Sequence, residues 1–327
     1  MSDLIKAENP LYVPDANGKL HLLPFDLKDP KAGIYDNISI YAYHKLMTGI
    51  VSNSYLGKLD KCPAKAKIQD ADTESLILGR ATHKYILENA AFDLEFAVEP
   101  EVFDGRTKAG KEGRARFESE NPGKETIKLE TFQTIRNMRD SVMSNPIASE
   151  YIRNVTVETT VIWQDQDFIL PSGDVVEGTG IWCKTRPDAR PVGKDGVVFD
   201  LKTSKDVEMH PFQTAIVRYG YHRQGAMALT GLERVTKKKH EIFALIGVES
   251  EMPHRTEVYV LDDDFLKLGF SEFRRLMRVE KHCREQNLWP AYKPSDLMDL
   301  RRAVPHVMMI PGYLTDKAGT WERDSEA

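Results

Sequence analysis

Apolar residues recur at helical spacing in several long segments of the chain. The clearest case predicts an amphipathic helix whose apolar positions are three or four residues apart: Leu129, Phe132, Ile135, Met138 and Val142. Weaker patterns of the same period predict helices over residues 74–88, over 265–286, and over 206–235 with a break near Gly220. Short helices are expected over residues 39–43 and 54–59.

Strand patterns fill the segments between these helices. Alternation from Val155 to Trp163 predicts one strand with Glu158 on its polar face. Further strands are expected at residues 178–184, 196–203, 240–249 and 256–261, with short ones near 11–13 and 20–23. The mixture predicts an α/β fold with a mixed central β-sheet flanked by helices. Residues 1–35 are interpreted as an irregular N-terminal arm and residues 36–327 as one domain.

Composition narrows the class of protein. Charged residues make up 29% of the chain and hydrophobic residues 41%, which is typical of a soluble globular protein. The three cysteines form no CxxC pair, so neither a zinc knuckle nor an iron–sulfur cluster is indicated. We find no long apolar run and no signal-peptide pattern, so we expect a cytoplasmic protein with free thiols and no membrane contact. The net charge of −5 argues against a surface coated with basic residues, although a local basic groove remains compatible with it.

The candidate chemistry lies around a buried strand. Val197, Val198 and Phe199 form an apolar run that leads into Asp200, Leu201 and Lys202. Side chains alternate along a strand, so the Asp and the Lys share one face and the Leu points the other way. The residues Gly193–Gly196 form a turn signal, and a hairpin closed there would bring Asp188 beside Asp200.

Two carboxylates and an ammonium group on one face suit metal-assisted phosphodiester hydrolysis. Asp188 and Asp200, with the carbonyl oxygen of Leu201, would form a hard oxygen site for Mg²⁺, with Mn²⁺ as a substitute. Lys202 would orient the water or neutralise charge that builds up in the transition state. The competing interpretation is an ordinary surface hairpin, because a pattern this short has many chance matches.

Several short motifs occur in a definite order along the chain. They are Ser52-Asn53-Ser54-Tyr55-Leu56 with Cys62-Pro63-Ala64, Leu78-Gly79 with His83, Arg186-Pro187-Asp188, Asp200-Leu201-Lys202-Thr203, Gly220-Tyr221 with Gln224, and Trp289-Pro290 with Tyr292. This ordered set resembles the exonuclease VIII (RecE) type of phage and prophage nuclease. That type belongs to the PD-(D/E)XK superfamily, in which lambda exonuclease is a more distant relative.

The resemblance implies roles for further residues. His83 would face the carboxylates as a metal ligand, and Glu158 is a weaker candidate ligand. Tyr221 and Gln224 are three residues apart, so they share a helix face. We expect this face to meet the DNA from the helix that follows the catalytic strands, and Gln224 is a further catalytic candidate. The basic, glycine-containing stretch 105–116 is expected to be a mobile segment that contacts the DNA backbone, or else a solvated loop. The DNA-binding candidates in that stretch are Arg106, Lys108, Lys111 and Arg114.

The resemblance also implies an activity. It is a metal-dependent, ATP-independent exodeoxyribonuclease that digests one strand of linear duplex DNA from the 5′ end, in partnership with a single-strand annealing protein of the RecT kind. A toroidal tetramer is favoured over a trimer, with residues 1–35 and 307–310 as interface candidates. Two alternatives stay open: a structure-specific or restriction-like endonuclease on the same core, and a DNA-binding assembly module with a vestigial site.

Overall fold

A mixed five-stranded sheet lies at the centre of the computed structural model, which describes residues 11–15, 18–36, 38–68, 73–169, 173–192 and 196–291. The strands in these ranges are β1 (Leu11–Pro14), β2 (Leu20–Leu23), β3 (Gly33–Tyr35), β4 (Phe96–Val98), β5 (Glu125–Ile127), β6 (Val155–Val157), β7 (Thr160–Gln164), β8 (Phe168–Ile169), β9 (Val175–Val176), β10 (Trp182–Thr185), β11 (Ala189–Pro191), β12 (Val197–Ser204), β13 (Ile242–Glu249) and β14 (Thr256–Val260).

The α-helices in the same ranges are α1 (Asn53–Lys61), α2 (Pro63–Ala66), α3 (Glu74–Leu87), α4 (Phe92–Glu95), α5 (Lys108–Glu120), α6 (Leu129–Ser144), α7 (Pro146–Arg153), α8 (Met209–Tyr219), α9 (Tyr221–Thr236) and α10 (Asp263–Gln286). A π-helical turn covers Ala42–Leu46, and a 3₁₀ turn covers Asn89–Ala91.

The central sheet has the order β14-β13-β12-β11-β6. The β12–β13 pair is parallel, and the other neighbours are antiparallel. Alternate residues of β12 pack on opposite sides: Phe199 and Leu201 join the core under α3 and α6, and Val198 joins the core under α8, α9 and α10. Each of these buried side chains contributes roughly 1.5–3 kcal/mol to folding. The predicted α/β class, with helices on both faces of a mixed sheet, is confirmed.

The predicted α-helices form, except that the short one expected over residues 39–43 is replaced by the π-helical turn Ala42–Leu46. The helix ends follow from local sequence. The Ser52 hydroxyl accepts a hydrogen bond from the Tyr55 amide at the start of α1, and Thr73 does the same for Leu76 in α3. Asp262 caps α10 by accepting from the Phe265 amide. The predicted break near Gly220 is confirmed, because that residue has φ 70° and separates α8 from α9.

The single strand predicted from Val155 to Trp163 is wrong. The chain instead forms β6 and β7, which belong to different sheets. The break is at Glu158, whose φ of 48° lies in the left-handed region and interrupts the extended backbone. Periodicity could not reveal this break, since the apolar alternation continues across it.

The strand predicted at residues 178–184 does not pair with the strand that carries Asp200. Strand β10 pairs with β7 in a separate three-stranded sheet of order β10-β7-β3. The antiparallel neighbour of β12 is the short β11, which begins just after Asp188. Of the predicted turn, residues 193–195 lie outside the described residues, and Gly196 has φ 86°.

The boundary predicted at residue 35 does not separate an arm from the body of the protein. The two short strands predicted near the N-terminus form as the antiparallel pair β1–β2. Strand β3, however, pairs with β7, and Ile34 is completely buried in the main core. The candidate interface at residues 307–310 lies outside the described residues.

The basic stretch predicted as a mobile loop is largely helical, so that prediction is corrected. Most of it belongs to α5, which Thr107 caps by accepting from the Gly110 amide at 3.0 Å. Its glycines serve close packing. A Cβ at Gly110 would clash with the backbone of Asp104, and one at Gly113 would lie 2.8 Å from the ring of Phe103. The three cysteines are buried free thiols, as predicted. Within the described ranges, no helix is both long and apolar enough to cross a membrane.

Candidate active site

Asp200 lies in the middle of β12 and is completely buried. Its Oδ1 atom accepts a hydrogen bond of 2.8 Å from Nε2 of Gln224 on α9. Its Oδ2 atom forms an ion pair with Nζ of Lys202, two residues along the same strand. The predicted shared face of Asp200 and Lys202 is therefore present in the structure, and the hydrogen bond from Gln224 is a contact that the sequence did not predict.

Asp188 is brought to Asp200 by the register of β11 and β12, in which Ala189 lies opposite Phe199. Its Oδ2 atom accepts a hydrogen bond of 2.7 Å from the backbone N–H of Leu201. The same oxygen lies 3.3 Å from Nδ1 of His83 on α3. The structure thus places His83 where the resemblance implied. It also uses the Leu201 amide as a donor, while the proposed ligand role of the Leu201 carbonyl stays a prediction.

Burial and mutual charge perturb every ionisable group of this cluster. Burial, reinforced by the negative charge of Asp188, raises the pKa of Asp200 to about 6. Burial would also raise the pKa of Asp188, but His83, Lys202 and the Leu201 N–H bring it below its ordinary value. Burial opposes charge on His83 and Lys202, yet the neighbouring carboxylates raise the pKa of both. Two carboxylates that repel each other therefore lie close together where little water reaches them.

This donor set fits a divalent cation of the magnesium type. Asp188 and the completely buried Asp200 supply charged oxygen atoms, which are the ligands that such an ion prefers. No group of three His, Cys, Asp or Glu side chains forms a ready-made metal cage among the described residues. Mg²⁺ commonly binds through one or two carboxylates and completes its octahedron with waters and substrate phosphates. Asp188 and Asp200 would hold such an ion, with His83 beside them.

The first turn of α9 forms one wall of the site. The ring of Tyr221 lies under Lys202, with Nζ 4.7 Å from the ring centroid. Burial raises the pKa of Tyr221 above its usual value, although the ammonium of Lys202 opposes this. Tyr221 and Gln224 therefore point to the same strand, as their spacing predicts. Their contact with DNA stays a prediction.

Glu158 has a partner that the sequence did not suggest. Its Oε2 atom accepts hydrogen bonds from Arg186, at 2.8 Å from NH2 and 3.2 Å from Nε. Its backbone N–H donates to the carbonyl oxygen of Asp188 at 2.9 Å. The structure thus engages Glu158 in holding the segment before β11, and its role as a metal ligand stays a prediction. Arg186 belongs to the Arg186-Pro187-Asp188 motif, so the sequence did indicate that it lies near the site.

The basic residues of the α5 region have mixed environments. Arg106 pairs with Asp104, Lys108 lies 3.8 Å from Glu112, and Arg114 donates to buried Glu99 at 2.8 Å. The side chains of Arg106 and Lys108 are 92% and 90% exposed, so water screens their pairs and leaves the ammonium and guanidinium groups accessible. Lys111 is exposed on the same helix. Their accessibility suits phosphate contact, and their DNA binding stays a prediction.

An aspartate directly before β11, and an aspartate and a lysine on the neighbouring strand β12 of a mixed sheet with helices on both faces, are the pattern of a PD-(D/E)XK type of nuclease core. Residues 52–302 match the model of the family described as "PDDEXK-like domain of unknown function (DUF3799)", and the chain belongs to that family. The superfamily expected from the motifs is thereby confirmed. The narrower likeness to the exonuclease VIII type stays a prediction.

Two solved structures are similar to this chain. One is of a candidate exonuclease from Eubacterium rectale, with 15% identity, coverage of 86% of this chain and 97% of that chain, and a TM-score of 0.48. The other is of the protein SSO0001, with 15% identity, coverage of 69% and 75%, and a TM-score of 0.26. A comparison with curated proteins finds no match.

Proposed function

We propose that this protein is a metal-dependent, ATP-independent exodeoxyribonuclease that acts on the ends of linear double-stranded DNA. The observation that carries the proposal is the placement of Asp188 beside the completely buried Asp200, with Lys202 paired to Asp200. Membership of a PDDEXK-like family supports the same chemistry. The 5′→3′ direction, the 3′ overhangs used in recombination and the cytoplasmic setting are proposed from the resemblance to the exonuclease VIII type.

Each side chain of the cluster has a definite task in this chemistry. Mg²⁺, or Mn²⁺ in its place, would polarise the phosphodiester and lower the pKa of the attacking water. Gln224 holds one oxygen of Asp200 through its hydrogen bond, and His83 and the Leu201 N–H hold Asp188. These contacts fix the two carboxylates before substrate arrives. Lys202 keeps its charge because its pKa is raised, so it can stabilise negative charge that develops on the phosphate.

Two substrates separate the proposal from an endonuclease. Linear duplex is labelled at the 5′ end in one preparation and at the 3′ end in another. In the presence of Mg²⁺ the 5′ label should be released before the 3′ label. A covalently closed circle should stay intact. Cutting of the circle would favour the endonuclease alternative. The absence of cleavage with any divalent cation, with DNA binding retained, would favour the vestigial module. The Asp200→Asn variant, purified in parallel, controls for contaminating nucleases.

We expect a closed ring and a protein partner. A chain with a net charge of −5 lacks a broad basic surface to retain DNA, whereas a ring retains it topologically. The ring proposed is a tetramer, with a trimer as the alternative, and the partner is a single-strand annealing protein of the RecT kind. Light scattering after size exclusion should give a multiple of 37.2 kDa. A monomer that still digests DNA processively would contradict the ring.

His83→Ala should impair cleavage more with Mg²⁺ than with Mn²⁺. The imidazole fixes the Asp188 carboxylate, and Mg²⁺ tolerates distorted geometry poorly. Loss of such a supporting contact typically costs about tenfold to a hundredfold in metal affinity or activity. Titration of cleavage rate against each metal checks this prediction. Wild-type rates with both metals would show that His83 has no part in the site.

Gln224→Ala should lower the cleavage rate by about tenfold to a hundredfold, because Asp200 loses the hydrogen bond that orients it. Divalent-cation binding should persist, since both carboxylates stay in place. Parallel measurement of cleavage and of cation binding by calorimetry makes the check. An unchanged rate on duplex DNA would refute the assignment.

A further inference from the structure

The first turn of α9 contains a buried arginine, Arg223, on the side that faces away from the catalytic strand. Arg223 is 5% exposed and lies between α1 and α10. Its Nε atom donates to Asn53 Oδ1 at 2.8 Å, and its NH1 atom donates to Glu272 Oε2 at 2.9 Å. One guanidinium thus connects three helices whose sequences lie far apart.

The surrounding glycines make room for this guanidinium. A Cβ at Gly220 would lie 2.5 Å from NH2 of Arg223, and a Cβ at Gly57 would lie 3.1 Å from the same atom. On the other side, a Cβ at Gly269 of α10 would clash with the backbone of His222. The seam between α1, α9 and α10 is therefore closed around Arg223, which leaves the side chain little freedom to move.

Asn53 also contacts the backbone at the start of α9, through the carbonyl group of Gly220. The carbonyl oxygen of Gly220 accepts the backbone N–H of Gln224 at 3.0 Å, and Nδ2 of Asn53 also donates to it at 3.3 Å. Residues 221 and 224 face the catalytic strand, and residues 222 and 223 face the opposite side, toward α10. The turn that carries the catalytic contacts is thus held on one face by Asp200 and Lys202, and on the other by Asn53 and Glu272.

We propose that Arg223 is a positioning residue, which sets the distance of Gln224 and Tyr221 from Asp200 and Lys202 by fastening α9 to α1 and α10. Displacement of a catalytic group by about 1 Å can cost about a hundredfold in rate. The planar fork of Arg reaches Asn53 and Glu272 together, whereas a Lys ammonium is a point charge that cannot reproduce both directions. The proposal rests on the nuclease function proposed above, and part of its test is independent of that function.

The test compares Arg223→Lys with Arg275→Ala in the full-length protein. Arg275 is a matched control because it also joins α10 to α1, through a hydrogen bond of 2.8 Å to Asp60 that does not involve α9. Arg223→Lys should lower kcat on linear duplex DNA by about tenfold to a hundredfold, with KM changed by less than about twofold. Arg275→Ala should keep both values. Amide hydrogen exchange of residues 219–228 should accelerate in Arg223→Lys only, and this readout needs no cleavage.

Coupling to Gln224 separates positioning from general destabilisation. When Arg223→Lys is added to the Gln224→Ala variant, kcat should fall by less than a further factor of about two, because the contact that Arg223 positions is already absent. Three results would each overturn the proposal. The losses of kcat in Arg223→Lys and Gln224→Ala could be fully additive, or Arg223→Lys could have the kcat and the amide exchange of the wild type. Arg275→Ala could also lose as much kcat as Arg223→Lys. If Arg223→Lys does not fold, Asn53→Ala replaces it, with the same expected pattern. Failure of the wild type to cleave would refute the nuclease function, and the exchange experiment would still decide the role of Arg223.

Discussion

Cleavage of duplex DNA should be lost when Asp188 or Asp200 is replaced by alanine. Each change removes one of the two carboxylates that would hold the cation, and a bound metal ion supplies several kcal/mol of transition-state stabilisation. At 1.36 kcal/mol per tenfold, the expected loss of kcat exceeds about a thousandfold. Single-turnover cleavage at saturating Mg²⁺ measures this loss, and thermal unfolding checks that each variant is folded.

The isosteric change Asp200→Asn distinguishes chemistry from packing. It keeps the volume of the buried side chain and an oxygen that can accept from Gln224, but it removes the charge. We expect it to be as inactive as Asp200→Ala. Substantial activity in a folded Asp188→Ala or Asp200→Ala protein would show that the site is misassigned, and activity in Asp200→Asn alone would show that the carboxylate charge is dispensable.

Replacing Lys202 with alanine should lower kcat strongly while divalent cations still bind. The ammonium pairs with Asp200, and its charge lies where negative charge on the phosphate would develop. Loss of a single preorganised stabilising group of this kind costs about a hundredfold to a thousandfold in kcat. Calorimetric titration with Mg²⁺, set beside cleavage at saturating Mg²⁺, separates binding from chemistry.

The structure adds a pH dependence to the Lys202→Ala variant. Lys202 lowers the pKa of Asp200 against the effect of burial, so its removal should move that pKa upward from about 6. Protons then compete with the cation at higher pH, and Mg²⁺ affinity should fall off sooner on acidification than in the wild type. Lys205→Ala is a suitable control, since Lys205 is 85% exposed and pairs with Glu251. Weakened Mg²⁺ binding with normal turnover at saturation would mean that the role given to Lys202 is wrong.

Local sequence was sufficient to predict the strand that carries Asp200 and Lys202. The apolar run before Asp200 and the strict alternation of a strand predict both the burial of β12 and the shared face of Asp200 and Lys202. The αL residue Gly220 likewise signals its own helix break. These features depend on neighbouring residues only, so a pattern of a few positions determines them.

Features that depend on packing between distant segments could not be predicted. In the sequence alone, the glycines at 110 and 113 suggest a loop. In the structure they allow α5 to pack closely against the backbone of Asp104 and the ring of Phe103. The pairing of β11 with β12, in place of β10, depends on a three-residue strand that has no periodic signal of its own. Arg223 and Asn53 are 170 residues apart, and nothing in either local sequence points to the other.

The left-handed backbone of Glu158 has a consequence for protein engineering. A non-glycine residue in this region costs about 1–3 kcal/mol, and here the strain lies one hydrogen bond from the carbonyl of Asp188. Glycine at position 158 would relieve the strain but release Arg186, and with it the segment that carries Asp188. The two effects on stability oppose each other, so a glycine here would loosen the candidate site even where the free energy of unfolding stays the same.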